Sequence, residues 1–182
     1  MSCTTLTRNL TQACDAIQAA GLAKAIYVLE DIANLNVTYT SDAITDITRG
    51  SGVNWYKFTG QRLASSAGTE NTAADNAATL VTQTVTFSVN LAGGTAAQEA
   101  TKRATYNLAT QFQECAIIVQ RNDGRFELYG KDFGLKCTGG VTNTGVALAD
   151  STTATLIFTS PQKGIATIVD MTAAELDDLL PA

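Results

Sequence analysis

The sequence predicts an α+β, mainly β fold: an antiparallel β-sandwich or barrel with one main α-helix and one long projecting β-hairpin. Several short segments alternate apolar and polar residues, which is typical of strands with one buried face. One segment, residues 96–112, repeats its apolar residues at helical spacing instead. The 182 residues show no internal repeat and no domain boundary, so we expect a single domain over residues 1–182.

The first part of the chain predicts an N-terminal arm and three short strands. The arm, residues 1–21, forms either a short helix or an irregular segment, since apolar residues recur at helical spacing before Gly21: Leu10, Cys14, Ile17 and Ala20. The apolar run at residues 25–29 has the length of a strand. Residues 37–40 and 44–48 alternate as two further strands.

Residues 53–91 predict a long β-hairpin. Its first arm, residues 53–59, is rich in aromatic residues. In its second arm every second residue is apolar, and Gln83 is the one polar residue in that series. The apolar residues are Val81, Val85, Phe87, Val89 and Leu91. The tip, residues 63–79, is small and polar and cannot bury enough apolar surface to fold alone. We therefore expect this projecting arm to become ordered against neighbouring copies of the same chain.

The helix at residues 96–112 has a clear start signal. Thr95 and Gln98 form a capping box, and Glu99 and Arg103 are spaced as an i,i+4 ion pair. The predicted apolar stripe consists of mostly small residues: Ala97, Ala100, Ala104, Leu108 and Phe112. We expect this stripe to pack closely against a sheet.

After the helix, the pattern returns to strands. These are predicted at residues 115–120, 125–130, 154–159 and 165–169, with a tight hairpin turn at the Asn-Asp-Gly sequence that follows the first of them. The C-terminal arm, residues 171–182, begins with a second capping box, Thr172 to Glu175, and carries a short acidic helix.

The composition favours a protein that is covered by other subunits. Charged residues make up 16% of the chain, against roughly 25% in typical soluble domains. Interface cores are depleted of charge in the same way, although a Thr-rich monomeric β-protein has this composition too. The net charge of −5 and the lack of a basic run disfavour specific nucleic-acid binding. With no secretory signal and no apolar run long enough for a membrane span, we expect a soluble protein made in a cytoplasm.

No residue pattern indicates catalysis, a cofactor or a metal. The chain has no histidine, and its four cysteines, Cys3, Cys14, Cys115 and Cys137, lack zinc-ligand spacing. Gly93-Gly94-Thr95 could hold an anion on free N–H groups, but a tight turn with an N-cap explains it. The carboxylate pairs Glu30-Asp31 and Asp177-Asp178 are interpreted as surface charge. We predict that the protein is not an enzyme, and that it has no catalytic, cofactor-binding or metal residues.

Five residues form the candidate subunit interface: Trp55, Tyr56, Phe58, Glu70 and Asp75. On a strand, Trp55 points away from Tyr56 and Phe58, so one set belongs to the core and the other faces outward. An outward apolar set marks an interface, while core packing on both sides is the alternative.

The order of the elements resembles that of the tail tube proteins of tailed bacteriophages and related injection machines. The residues that carry the resemblance are an early Cys14 and Gly21, the Tyr27-Val28 strand, the strand at residues 44–48 and the aromatic arm. The resemblance extends over residues 14–170 and rests on element order and low charge.

The resemblance implies a virion structural protein without an active site. Tail tube proteins form hexameric rings whose strands make one continuous β-barrel around a channel. The rings stack, with the long hairpin and the terminal arms reaching the adjacent ring, and other phage tail proteins are further partners. The resemblance thus implies a homo-oligomer in the virion tail, assembled in the bacterial host cytoplasm, through which DNA passes during ejection without specific binding and without a membrane partner.

Other functions remain open at this point. A capsid decoration protein, or a head-neck or tail terminator protein, belongs to the same structural class. From a different class, a small-ligand-binding β-barrel or a secreted adhesin domain fits the same strand pattern.

Overall fold

A computed structural model describes residues 21–50, 52–60, 64–72, 80–91, 94–144 and 152–181. In chain order its strands are β1 (Leu22–Leu29), β2 (Asn36–Thr40), β3 (Ala43–Thr48), β4 (Trp55–Thr59), β5 (Ser66–Thr72), β6 (Leu80–Asn90), β7 (Ala116–Arg121), β8 (Phe126–Tyr129), β9 (Lys136–Asn143), β10 (Thr153–Gln162) and β11 (Thr167–Val169). The helices are α1 (Ala96–Ala109) and α2 (Ala173–Asp177), and a short 3-10 turn spans Ile32–Asn34.

The strands form two sheets that pack as a sandwich, which confirms the predicted fold class. The large sheet has the order β2-β3-β11-β8-β7-β1-β4, and the small sheet has the order β5-β6-β10-β9. Neighbouring strands are antiparallel, except that β11 runs parallel to β3. Of the two predicted arrangements, sandwich and barrel, the sandwich is correct, since the described strands do not close into a barrel.

The predicted hairpin at residues 53–91 is wrong in its pairing, because its two arms belong to different sheets. The aromatic strand β4 pairs with the apolar strand β1, with Trp55 opposite Leu29. Strand β6 pairs with β10 and with β5, and β5 lies within the tip that we expected to become ordered only against neighbouring copies. Although β5 carries few apolar side chains, its backbone continues the hydrogen-bond ladder of β6. The actual hairpin is therefore β5-β6, and residues 73–79 between these strands lie outside the described residues.

The core has two layers, one on each face of the large sheet. Between the sheets lie buried apolar residues of both, among them Val28, Phe87, Ile117 and Phe158. On the opposite face lies a second cluster, which includes Leu29, Trp55, Ile118 and Leu176. Neighbouring residues of a strand, such as Val28 and Leu29, serve the two layers because their side chains point to opposite faces.

The C-terminal arm covers the second cluster. Leu176 and Leu179 are buried there, so residues 171–181 pack against their own subunit rather than projecting as a free arm. Burial of these two leucines removes apolar surface from water, which holds the segment in place. That this segment also contacts an adjacent ring, as the resemblance implies, stays a prediction. The N-terminal arm, apart from Gly21, lies outside the described residues.

Helix α1 begins at its predicted capping box, where Thr95 accepts from the Gln98 N–H and Gln98 accepts from the Thr95 N–H. The predicted packing of its stripe is correct for Phe112 and wrong for the other four residues. Ala97, Ala100 and Ala104 are exposed, and Leu108 is 62% exposed. The helix instead contacts the core through the neighbouring stripe, on which Tyr106 and Ala109 lie, and through Phe112 beyond its end. The larger surface of Tyr106 gives this stripe more area to bury than three alanines offer.

Candidate assembly surfaces

Hydroxyl-bearing side chains line the outer face of the small sheet. Alternation along β6 places Val85 and Phe87 in the core, so the intervening residues face outward. Together with β10 they form a face rich in threonine and serine: Thr82, Thr84, Thr86, Ser88, Thr153, Thr155 and Thr159. Ser88 itself is buried, and Val141, Ile157 and Pro161 add apolar surface to the face. The hydroxyls of Thr84 and Thr159 lie 3.0 Å apart, as do those of Ser88 and Thr155, so cross-strand hydrogen bonds join the strands.

This face carries little charge. By register, Glu70 on β5 lies opposite Thr82, and Lys136 on β9 lies opposite Thr159. Among the described residues of the face these are the charged side chains, and they lie on opposite edge strands. The predicted interface residue Glu70 is therefore exposed at one edge, whereas Asp75 lies outside the described residues.

Both edges of the small sheet lack a partner strand within the described part of the chain, although at the start of β9 the Cys137 N–H donates to the Phe112 carbonyl at 3.0 Å. Strands β5 and β9 end the strand order, so one side of each carries backbone N–H and C=O groups without a partner strand. Val141 on β9 is 61% exposed, and a side chain added at Gly68 on β5 would meet open space. Edge strands of this kind are templates for pairing with another chain.

The two connections of the small sheet leave from opposite ends. Thr72 pairs with Leu80, so β5 and β6 are joined beyond the start of β6. Asn90, at the end of β6, pairs with Thr153, which itself pairs with Asn143. The connection between β9 and β10 therefore lies at the far end of the same sheet.

The aromatic side chains of β4 point to two opposite faces of the large sheet, as the strand geometry predicts. Trp55 is buried under the C-terminal segment, which removes it from the candidate interface. Tyr56 and Phe58 point to the other face, where Tyr56 is exposed and Phe58 packs partly against Phe87, with ring centroids 6.5 Å apart. Tyr56 thus remains available for contact.

Two cavities test the ligand-binding alternative. One, of about 220 Å³, lies between α1 and the strands β4 and β6 and is lined by residues that include Phe58, Val89 and Tyr106. Its volume is below the roughly 300 Å³ at which small-molecule sites begin. The other, of about 330 Å³, is lined by Arg121 and Glu127 among others. It is large enough, but its charges are already paired.

The pairing in the second cavity is internal. The Arg121 guanidinium lies 2.7 Å from the Asp123 carboxylate and 3.0 Å from the Glu127 carboxylate, and the Tyr129 hydroxyl donates to Glu127 at 3.0 Å. These contacts, first the hydrogen bond to Glu127, raise the pKa of Arg121. An incoming anion would have to displace two carboxylates, so the cavity is not an anion site.

Asp177 helps to hold α2 on the large sheet. Its carboxylate accepts a hydrogen bond from the Lys57 ammonium at 2.6 Å and one from the Tyr27 hydroxyl at 2.8 Å. The hydrogen bond from Lys57, followed by that from Tyr27, lowers the pKa of Asp177. Arg49 adds a hydrogen bond to the Leu180 carbonyl at 2.8 Å. Asp177 was predicted to be plain surface charge, but it has this structural role.

The remaining candidates for chemistry have structural explanations. Burial raises the pKa of the Cys115 thiol to about 12, so this cysteine stays protonated and unreactive at neutral pH. Asp31 caps the 3-10 turn by accepting from the Ala33 N–H at 2.8 Å. Over the described ranges, no three His, Cys, Asp or Glu side chains lie close enough to hold a metal ion. No helix of that part of the chain is long and apolar enough to cross a membrane.

Gln83, the polar break in the predicted pattern of β6, is buried and fully hydrogen-bonded. Its side-chain oxygen accepts from the Gly130 N–H at 2.8 Å, and its amide group donates to the Gly164 carbonyl at 2.9 Å. It therefore ties β6 to two surface turns, one after β8 and one after β10. The alternation in the sequence identified Gln83 as an exception, but it did not predict the hydrogen-bond partners of this side chain.

Gln162, at the end of β10, holds the first of these turns from the other side. Its side-chain oxygen accepts from the N–H groups of Asp132 and Phe133, and its amide donates to the Gly134 carbonyl at 2.8 Å. Gln162 is completely buried. Two buried amides thus fix the surface at which Phe133 is displayed.

Comparisons with known proteins add little. No family model matches the chain, and no curated protein matches it. Among solved structures, a chain in the cryo-EM structure of the anti-feeding prophage (AFP) baseplate, 6-fold symmetrised, is similar. The similarity has 10% identity and a TM-score of 0.33, and it covers 80% of this chain and 94% of that one. At that TM-score it says nothing about function, so the surfaces described above have to carry any proposal.

Proposed function

We propose that this protein is a virion structural protein, a tail tube subunit that assembles into stacked hexameric rings and forms a conduit for viral DNA. The observation that carries the proposal is the small sheet, whose hydroxyl-lined face lies between two open edges. A sheet with two open edges can continue into the sheets of neighbouring copies and close into a ring, which leaves no edge exposed. The number six comes from the resemblance to tail tube proteins.

The hydroxyl face suits the wall of a DNA channel. Tight phosphate binding needs clustered Lys and Arg, and the described residues of this face include a single lysine, Lys136. Its hydroxyls are also partly satisfied by one another, as in the Thr84–Thr159 pair. DNA could therefore slide along such a wall without being held.

The remaining surfaces fit the other contacts of a tube. The strand ends that the two connections of the small sheet join lie at opposite ends of that sheet, so in a ring whose strands run along the channel they would face the rings above and below. The exposed stripe of α1, with Leu108, lies outside the sandwich, where it can contact a neighbouring subunit. A capsid decoration or tail terminator protein would use the same edges but would not form long stacks.

Small-ligand binding is the weaker candidate. It requires a cavity of suitable size with unpaired polar groups. One of the two cavities described here is too small, and the polar groups of the other are paired with each other.

The test is assembly of the purified full chain, measured by light scattering after size exclusion and by negative-stain electron microscopy. We expect rings with a central channel that stack into tubes. Single rings that never stack would favour the terminator function. A 19.1 kDa monomer at every concentration would overturn the proposal.

A further inference from the structure

The turns held by the buried glutamines display an exposed apolar and basic surface. We call it the turn patch and define it by five residues: Tyr39, Lys131, Phe133, Lys163 and Ile165. Tyr39 is 45% exposed, Phe133 is 49% exposed and Ile165 is 73% exposed. The Lys131 ammonium lies 5.5 Å from the centre of the Tyr39 ring, and the Lys163 ammonium lies 5.4 Å from that of Phe133. These cation–π contacts join Tyr39 to the turn that carries Lys131 and Phe133, and they join the same turn to Lys163 of the turn after β10.

The patch is built in a way that favours binding. Gln83 and Gln162 are both buried, and between them they fix the backbone of both turns. Large apolar side chains on such fixed turns lose little conformational freedom when a partner covers them. Exposed apolar surface next to cations favours binding to a partner that has carboxylates and some apolar surface of its own.

The chain itself carries such a surface around α2. Residues 164–182 contain four acidic residues, Asp170, Glu175, Asp177 and Asp178, and no lysine or arginine. Asp177 binds Lys57, and Glu175 caps the helix. Asp170 and Asp178 are exposed, and neither carboxylate is engaged by another residue of the described ranges. Partly buried Met171 and Leu180 add apolar surface beside them.

Within the described part of one chain, neither Lys131 nor Lys163 forms an ion pair with Asp170 or Asp178. On β11, Val169 packs into the cluster beneath α2, whereas the side chain of the preceding residue, Ile168, points to the opposite face of the sheet. Ile168 is itself 37% exposed. Tyr39 lies opposite Ile44 of that cluster, so the turn patch borders the α2 side of the sheet, and a second copy can supply the acidic partner that Lys131 and Lys163 lack.

We propose that the turn patch of one copy binds the acidic α2 segment of a second copy, with Lys131 and Lys163 facing Asp170 and Asp178. The inference rests on the proposed function, because it needs a homo-oligomer. Contact between two different surfaces is heterologous, and repeated contacts of this kind generate rings or filaments. The ion pairs across the contact would set its register and make it sensitive to salt.

The test reverses the charges on each side. The patch variant is Lys131→Glu/Lys163→Glu, and the α2 variant is Asp170→Lys/Asp178→Lys. In each variant the turn patch and the α2 segment carry charges of the same sign and repel each other, so neither variant should assemble alone. In an equal mixture every contact can pair opposite charges, and assembly should return with the two variants alternating. A chain that carries all four reversals has opposite charges on its two surfaces again and should assemble like the wild type.

Circular dichroism and melting temperature check that each variant is folded. If a reversal unfolds the chain, Lys131→Gln/Lys163→Gln replaces it, and the concentration needed for assembly should rise by about tenfold or more. Normal assembly of the folded patch variant, or no rescue in the mixture, would overturn the inference and leave the proposed function standing. Loss of duplex-DNA binding with normal assembly would instead identify a nucleic-acid surface. A wild-type chain that stays monomeric would refute both proposals.

Discussion

The side-chain oxygen of Gln83 accepts a hydrogen bond from the backbone N–H of Gly130 at 2.8 Å, and this bond links the small sheet to the end of β8. We predict that Gln83→Leu keeps the side-chain volume but leaves two backbone groups without partners, the buried N–H of Gly130 and the partly buried carbonyl of Gly164. The cost should be about 1–3 kcal/mol for each group. Thermal or urea unfolding measures it. Gln113→Leu, at an exposed glutamine, should change stability by less than about 0.5 kcal/mol, and an equal loss in both variants would contradict the prediction.

The exposed stripe of α1 should matter for assembly and not for folding. Because Leu108 is 62% exposed, Leu108→Ala should change the free energy of unfolding by less than about 0.5 kcal/mol. Phe112→Ala removes a partly buried ring and should cost about 2 kcal/mol, below the roughly 3–5 kcal/mol of a fully buried one. Unfolding curves distinguish the two. If Leu108→Ala proves the more destabilising, α1 is packed differently from the structure described here.

Docking of α2 should weaken in acid. The hydrogen bond from Lys57 lowers the pKa of Asp177 below its unfolded value, so the ionised form contributes stability at neutral pH. That contribution is lost as pH falls through the lowered pKa, below about 4. Melting temperatures of wild type and Asp177→Asn should therefore differ at neutral pH and converge in acid. Asp178→Asn, which alters the neighbouring exposed carboxylate, should show no such convergence, and a constant difference for Asp177→Asn would contradict the assignment.

The connection between β5 and β6 should be needed for stacking and not for folding. Since Thr72 and Leu80 form a pair, replacing residues 73–79 with Asn-Gly makes a two-residue hairpin turn. The shorter loop closes at a lower entropy cost, so the variant should fold with unchanged circular dichroism. Electron microscopy should show rings without long tubes. Full-length tubes would mean that the connection is a tolerated insertion.

The open edge of β9 offers a paired test of sheet closure. Thr142 pairs with Ala154 and Val141 pairs with Thr155, and the N–H groups of adjacent residues point to opposite sides of a strand. Of Val141→Pro and Thr142→Pro, one removes a bond to β10 and lowers the melting temperature, while the other removes only an outward N–H. We expect the variant with the unchanged melting temperature to stay monomeric. Normal assembly of that variant would exclude pairing through this edge.

The sequence predicted those features that local patterns determine. Alternation identified β6, and capping boxes located the starts of α1 and α2. The sequence did not predict which strands pair, because pairing depends on the whole sheet. Strand β4 pairs with β1, and β5 is held by backbone hydrogen bonds to β6, which its small polar side chains do not indicate. The burial of α1 was mispredicted because two adjacent helical stripes compete, and Tyr106 rather than Leu108 reaches the sandwich.

The candidate surfaces were predictable only in part. Tyr56 and Glu70 are exposed, as an interface requires, whereas Trp55 is in the core. Nothing in the local pattern indicated the turn patch, since its residues are far apart in sequence. Lys131 and Tyr39 meet only because β2 and the turn after β8 lie at the same end of the large sheet.

The opposite exits of the two small-sheet connections also have a mechanical consequence. A load applied through those two ends pulls along the strands, whereas the hydrogen bonds between antiparallel strands lie across them. The load is therefore shear, and all the bonds of a ladder must yield together instead of opening one after another. A subunit loaded in this direction resists stretching far better than one whose strands are peeled apart from one end, so an elongated assembly pulled along these strands would be stiff under tension.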